Sequence, residues 1–357
     1  YNTMNATTTG ADNVAVGRDA LVANTTGTRN VAVGKDALKT STTTGSNTAI
    51  GDNALKLSSS GTYLTAVGAG ALDTNTTGAF NTAVGAVSMD ANTTGSYNTA
   101  LGAAALDANT DSDNNTALGA YALSDNSTGS ENTAVGMEAL KGNTTAEDNT
   151  AIGFSALKAN TTAENNVAVG ARAMEANTTG ASNMAIGSRA LEANTTGARN
   201  MGIGHEAYKN SDTENDNLAI GYYAMRTNTA GGQKNIAVGN YALDALTSGD
   251  NCIGVGHLAG SSLTTGDDNT YLGFSAGFTN TAASDNTAVG FQALYSATTG
   301  HSITALGHNA LFNNTTAIQN TAVGMNALQG ATTGGENTAI GQDALKTCST
   351  GTNNVAA

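Results

Sequence analysis

The chain has 357 residues with 44 Gly, no Pro and no Trp, and only 12% are charged, about half the share of an ordinary globular domain. Hydrophobic residues reach 39% with alanine the largest contributor, so any interior is thin, repeated and built from small side chains, unlike an enzyme core. With 14 basic against 28 acidic residues the net charge is −14, which disfavours nucleic acid and anionic membrane surfaces as partners.

At the start, Tyr1-Asn2-Thr3-Met4-Asn5 lacks the basic and apolar regions of a signal peptide, and no stretch approaches a membrane span. Both ends fall inside repetitive sequence. Residues 1–357 are read as one continuous array and as a fragment of a longer chain.

The pentapeptide Asn-x-Ala-(Val/Ile/Leu)-Gly or a close variant first starts at residue 13 and recurs every 17 residues, with one step of 18, to give about 20 full repeats and a truncated copy at 354. The extra residue falls in Thr229-Ala230-Gly231-Gly232-Gln233-Lys234, a turn segment where an insertion disturbs stacking least. As one unit the repeat reads N-T-A-V-G-x-x-A-L-x-x-N-T-T-G-x-x. Position 5 is always glycine, position 4 always Val, Ile or Leu, and position 8 is Ala except at Ser88. Position 9 is Leu, Met or Tyr except at Gly260 and Gly277.

Helical solenoids need units of 30 or more residues, so the period excludes them. Two short apolar segments separated by turn residues predict one coil of a β-solenoid: a strand over positions 1 to 4, a bend at Gly17, Gly34, Gly51, Gly68 and their successors, a second strand around positions 7 to 10, and an Asn-Thr-Thr-Gly turn. Asn and Gly enter positive φ most cheaply, which gives their recurrence at corners a steric reason. The expected fold is all-β, a parallel β-solenoid or β-roll of 17-residue coils.

Stacking superposes equivalent residues. Val16, Val33, Ile50 and Val67 begin one apolar ladder and Leu21, Leu38, Leu55 and Leu72 another, both placed in the interior. Asn13, Asn30, Asn47 and Asn81 are expected to form an amide ladder, each side chain bonding the coils above and below. With position 4 inside, strand alternation turns the alanine of position 3 outward. A small outward residue and a meagre interior favour chains packed side by side, as a parallel homotrimer.

The motif, nearly unbroken at 81–95, 132–146 and 183–197, resembles the repeats of tail-fibre-domain proteins of phages and environmental bacteria. More loosely, Val14-Ala15-Val16-Gly17-Arg18-Asp19-Ala20 is similar to the head repeats of trimeric autotransporter adhesins. The resemblance implies a surface fibre or adhesin built as a β-roll, located extracellularly, on a cell surface or on a virion, and it implies no catalytic residues.

Site by site, the sequence offers little chemistry. His205, His257 and His308 share position 6, and His257 lies about 14 Å from His308 at the ~4.8 Å coil spacing, too far to share a metal. Cys252 and Cys348 are five coils apart, about 24 Å, beyond the reach of a disulfide. No catalytic, cofactor or metal site is expected. Asn-Thr-Thr is also an N-glycosylation acceptor pattern, matched at Asn24, Asn75, Asn92, Asn143, Asn160, Asn177, Asn194 and Asn314, with Asn5, Asn114, Asn126 and Asn313 as further matches. Repeated corners generate the same pattern without modification. From the twelfth coil onward positions 6 and 7 carry His205, Tyr222, Tyr223, Tyr241, His257, Phe274, Phe291 and His308, a stripe suited either to surface glycans or to packing between chains. The functional expectation is a non-catalytic extracellular fibre shaft that associates with copies of itself. An ice- or glycan-binding solenoid is the alternative.

Overall fold

The computed structural model describes residues 3–228 and 230–357. Tyr1, Asn2 and Thr229, named above at the start of the chain and in the long turn, lie outside the described residues. Two compact units are present, Tyr1–Ala181 and Ser182–Ala357, and each is a parallel β-solenoid.

In the first unit the strands are β1 (Val14–Val16), β2 (Val31–Val33), β3 (Thr48–Ile50), β4 (Thr65–Val67), β5 (Thr82–Val84), β6 (Thr99–Leu101), β7 (Thr116–Leu118), β8 (Thr133–Val135), β9 (Thr150–Ile152) and β10 (Val167–Val169). Each pairs in parallel with its sequence neighbour, equivalent residue on equivalent residue, as in Thr82 on Thr99 and Ala83 on Ala100. The second unit repeats the plan with β11 (Met184–Ile186), β12 (Met201–Ile203), β13 (Leu218–Ile220), β14 (Ile236–Val238), β15 (Ile253–Val255), β16 (Thr270–Leu272), β17 (Thr287–Val289), β18 (Thr304–Leu306), β19 (Thr321–Val323), β20 (Thr338–Ile340) and β21 (Val355–Ala356). Among the described residues there is no helix.

The strand covers positions 2 to 4, and the second strand expected at positions 7 to 10 is absent. Its residues form turns because two of them are left-handed: Asp19 and Leu21 in the first full coil have φ of 59° and 49°, and the pattern recurs coil after coil. Reverse turns closed by Ala20 N–H to the Gly17 carbonyl and by Asn24 N–H to the Leu21 carbonyl fold this segment. Even so its backbone stays in the ladder, since Leu21 N–H reaches the Ala37 carbonyl of the next coil at 3.0 Å. Left-handed Leu costs roughly 1–2 kcal/mol per residue, and the inter-coil bonds together with burial of the side chain offset it. The positive φ expected of the corner Asn is thus carried by Leu. The invariant glycine does meet its steric reason: Gly102 has φ 146°, and a Cβ there would lie 2.4 Å from the Gly119 carbonyl oxygen.

The interior differs from expectation at one strand face. Leu21, Leu38, Leu55 and Leu72 are fully buried, and so are the position 3 alanines such as Ala32, Ala49, Ala66 and Ala83. Position 4 points outward: Val16 is 57% and Ile50 40% exposed, and Val33 and Val67 are half-buried at the surface. The interior placement of Val16, Val33, Ile50 and Val67 is therefore corrected, and with it the outward alanine.

Space explains the choice. A Cβ added at Gly202, at position 3, would lie 3.0 Å from Leu191 Cδ1, and one at Gly254 2.8 Å from Leu243 Cγ, so position 3 packs on the leucine of position 9. Leucine fills the narrow coil and leaves room for no more than a methyl group opposite. Where the partition is altered, both sides change. Tyr271 stands at position 3, fully buried, with Gly260 and Gly277 in place of leucine around its ring, while Tyr208 at position 9 has Gly202 at position 3 of its own coil.

Two rows of asparagine complete the interior. At position 1, Asn81 Oδ1 accepts from the Asn98 backbone N–H at 2.9 Å and its Nδ2 donates to the Gly95 carbonyl at 2.6 Å. The amide-to-amide ladder expected there is found mainly at position 12, where Asn92 Nδ2 donates to Asn75 Oδ1 at 2.7 Å and Asn109 Nδ2 to Asn92 Oδ1 at 2.8 Å. It continues through Asn126, Asn143, Asn160 and Asn177. Buried amides satisfied in this way avoid the penalty of desolvated polar groups.

Candidate functional site: the outward faces of the coils

With the interior closed by Leu, Ala and Asn, any function lies on the outward faces. The first is the sheet face of positions 2 and 4. Pleat alternation sends both outward while position 3 turns in, and in the first unit it reads Thr48 and Ile50, Thr65 and Val67, Thr82 and Val84 up to Thr150 and Ile152. Threonine hydroxyls at position 13 are tied up, as in Thr93 Oγ1 to the Thr110 carbonyl at 2.8 Å. Those at position 2 have no such partner among the described residues. In β11 to β15 both outward positions are large and apolar, from Met184 and Ile186 to Ile253 and Val255. Neither position carries a charge in any coil.

The second face, at positions 6, 7 and 10, holds most of the ion pairs. Lys39 and Lys35 lie 3.1 and 3.3 Å from Asp36, and they hold its carboxyl below the usual range, chiefly through the Lys39 hydrogen bond. Glu138 is lowered likewise, chiefly by Lys158 at 2.8 Å. A shallow depression of about 350 Å³ beside Gly142 is lined by Lys141, Lys158, Asp125 and Glu175. At position 10, Asp73, Asp90 and Asp107 stack in successive coils, and burial raises all three carboxyl pKa values. Repulsion from Asp73 adds to the rise at Asp90, and repulsion from Asp125 and then Asp90 adds to it at Asp107.

In the second unit the aromatic stripe of the sequence forms a stack. His205 and Tyr222 have ring centroids 5.5 Å apart, Tyr222 and Tyr223 4.0 Å, and Tyr223 and Tyr241 5.6 Å edge to face. The run continues from Tyr241 to His257 at 6.2 Å, then to Phe274, Phe291 and His308 at 5.4, 5.2 and 5.0 Å. Two further ladders were not singled out in the sequence: Phe278, Tyr295 and Phe312 at position 10, and Tyr63, Phe80 and Tyr97 at position 17 of the first unit, with planes within 5°. Their signal is plain once the period is known, namely an aromatic residue recurring at intervals of 17.

The remaining candidates separate. Among the described residues no group of three or more His, Cys, Asp or Glu is placed to hold a metal. Both cysteines are free; Cys252 is buried, and burial pushes its thiol up to about 11. The acceptor asparagines Asn24, Asn75, Asn92, Asn143, Asn160, Asn177, Asn194 and Asn314 are all fully buried, so they belong to the interior rather than to exposed corners. Asn5, Asn114 and Asn313 are exposed, whereas Asn126 is buried.

Fold and faces together define a tandem-repeat parallel β-solenoid whose variable chemistry is confined to its surface. The chain matches no protein-family model and no curated protein.

Proposed function

We propose that the chain is a structural segment of an extracellular fibre, a shaft of the tail-fibre or adhesin kind on a virion or cell surface, without a catalytic role. The observation that carries this reading is the in-register stack itself. Each coil is built on its neighbour through backbone bonds at the strand and at both turns and through the side-chain amides of the Asn rows, so repeat number sets length.

The partner this shaft needs is a second copy of itself, and the reading favours three parallel copies. Every outward position 4 is Val, Ile or Leu and half-buried or exposed, where an ordinary one-sided sheet presents polar residues to water. Ten strands at ~4.8 Å and a strip ~7–10 Å wide give roughly 400 Å² per unit. Each unit taken by itself thus supplies about half of the ~800 Å² a side of stable complexes. Native mass spectrometry of the intact chain is the test, with a trimer expected; a monomer at micromolar concentration refutes self-association through this face.

A second reading is favoured by one observation, the seven successive position 2 threonines from Thr48 to Thr150, which present unpaired hydroxyls beside aliphatic side chains at one fixed spacing. Such an array suits ordered water and hence ice. It requires the same face to stay bare, so the two readings exclude each other. Thermal hysteresis in a monomeric sample supports ice binding, and its absence removes that reading.

A further inference from the structure

The face of positions 6, 7, 10 and 11 changes character along the second unit. In the five coils that begin at Cys252, Asn269, Asn286, Ile303 and Asn320 these positions hold no Asp, Glu, Lys or Arg. Earlier in the same unit they carry the ion pairs of Arg189 with Glu192 and of Arg226 with Asp244. Into the uncharged stretch fall two parallel ring ladders, Phe274–Phe291–His308 at position 6 and Phe278–Tyr295–Phe312 at position 10.

Position 7 lies between them. It touches position 10 in ionic pairs such as Asp343 and Lys346 at 3.0 Å, and in the five coils it holds Leu258, Ser275, Gln292, Asn309 and Asn326, of which Ser275 is buried. The Gln292 amide, half-buried at the surface, has no partner within the described chain, whereas the unpaired Asn309 Oδ1 is shielded from solvent.

Aromatic carbons in face contact sit about 3.5–4.0 Å apart. Rings whose planes lie within 9–13° and whose centroids are 5.0–5.2 Å apart are therefore slipped past one another by roughly 3–4 Å. Each ring leaves part of its face bare, like a tread of a stair, and Phe274 and Phe291 remain 45% and 43% exposed.

Ring platforms of this kind receive nucleobases, organic cations or sugars. Base-stacking platforms work with a positively charged groove, and this strip has no cation in a chain of net charge −14. Cation recognition uses ring faces that enclose the ligand, whereas these ladders run side by side. A sugar ring fits both parts of the surface, with its C–H face on a tread and its hydroxyls on the Gln292 amide between the ladders. Absence of charge on the strip, together with the negative chain, selects against acidic sugars. Recurrence over the three successive coils that begin at Asn269, Asn286 and Ile303 selects an extended chain over a single residue.

We infer that the strip from His257 to Met325 binds a neutral polysaccharide lying along the stacking direction. The inference deepens the shaft reading and requires from it only that this strip not be covered by a second copy. Affinity electrophoresis of the full chain in gels containing hydroxyethyl cellulose, galactomannan or polygalacturonate tests it, with light scattering on the same samples. Retardation is expected in at least one neutral gel and not in polygalacturonate. The double variant Phe274→Ser/Phe291→Ser is expected to lose at least tenfold in affinity with its oligomeric state and circular dichroism unchanged. Phe154→Ser, an isolated position 6 ring in the first unit, is expected to behave as the parent. The inference is overturned if no neutral gel retards the chain, if the acidic gel retards it equally, or if the double variant is retarded as before. A change of oligomeric state in the double variant overturns it too, by assigning the strip to contact between copies. Apart from that last result, none of these outcomes bears on the trimer measurement, so the two proposals fail separately.

Discussion

Exchange of bulk between positions 3 and 9 around Tyr271 is the sharpest test of how the interior is built. Its ring is fully buried, and an added Cβ at Gly277 would stand 2.4 Å from Cε1 and 2.5 Å from Cδ1, with one at Gly260 2.6 Å from Cδ2. Tyr271→Ala empties this space at a cost of about 3–5 kcal/mol by analogy with other aromatic truncations. It also strips Asn280 Nδ2 of its 2.6 Å bond to the phenol oxygen, a further ~1–2 kcal/mol. Gly277→Leu alone forces the ring aside and costs ~1–3 kcal/mol. The triple variant Tyr271→Ala/Gly260→Leu/Gly277→Leu restores the Ala and Leu of the other coils at φ values of 59° and 61°, close to those at which Leu already sits elsewhere, so it is expected to recover at least ~3 kcal/mol over Tyr271→Ala. A long repeat array does not unfold in one step, so the assay is native-state hydrogen exchange at amides of the coils from 252 to 302. Tyr271→Ala is expected to speed exchange there by about a thousand- to a hundred-thousand-fold, the two costs together at ~1.4 kcal/mol per decade, and the triple variant to reverse most of it. A triple variant no more protected than Tyr271→Ala would show that positions 3 and 9 do not share one space.

Asn92 donates to Asn75 Oδ1 and the Gly95 carbonyl and accepts from Asn109; Asn92→Ala orphans Asn75 Oδ1 and one N–H of Asn109, while the Gly95 carbonyl keeps Asn81 Nδ2 and Asn109 keeps the Ser112 carbonyl, so it is expected to cost about 2 kcal/mol or more, read from the same exchange measurement. Because the eight Asn-Thr-Thr asparagines named above are interior, intact mass is expected to be unchanged by deglycosylation at every one of them; a glycan on any of the eight in folded protein contradicts the fold. Asp73, Asp90 and Asp107 have folded pKa values raised by burial, so the folded state holds more protons than the unfolded one and stability falls as pH rises from about 4 through the raised values. Protection of amides in the coils from 64 to 114, corrected for intrinsic exchange, is expected to respond less to pH over that window in Asp73→Asn/Asp90→Asn/Asp107→Asn, and an unchanged profile refutes the assignment. Thiol titration of the native chain is expected to find Cys348 alone reactive, since Cys252 is buried with its thiol pushed up to about 11; two fast-reacting thiols would contradict this.

The period, the parallel stack, the bend glycine and the leucine ladder were legible because each follows from a residue type recurring at fixed spacing. Strand parity was not. A three-residue strand offers two alternations, and the larger side chain at position 4 argued for placing it inside. What decides is volume across the coil, visible only where the chain departs from its own consensus: Gly202 accompanies Tyr208, and Tyr271 accompanies Gly260 and Gly277. Those exceptions are the sequence signal that position 3 faces position 9. The missing second strand has a different origin, since left-handed leucine at φ 49–55° in Leu21 to Leu106 contradicts local propensity and is imposed by the stack.

Correcting the parity also reverses the argument for association. With alanine outward, close approach of a neighbouring sheet was the reason to expect several chains. With alanine inward, the reason becomes the row of Val, Ile and Leu left facing solvent, a stronger one because its burial has a hydrophobic driving force of about 25 cal/mol per Å². The prediction that follows is specific to parity. A charge at position 4, as in Val84→Lys with Val135→Lys, is expected to leave each coil folded, because that side chain touches no interior group, and to dissociate the oligomer. The same pair of changes at position 3, Ala83→Lys with Ala134→Lys, is expected to unfold the coils around them, because Ala83 and Ala134 are fully buried and a charge there has no partner. Circular dichroism and native mass on the four-substitution panel separate the cases. An outcome in which the position 4 variants unfold and the position 3 variants merely dissociate would return the valines to the interior.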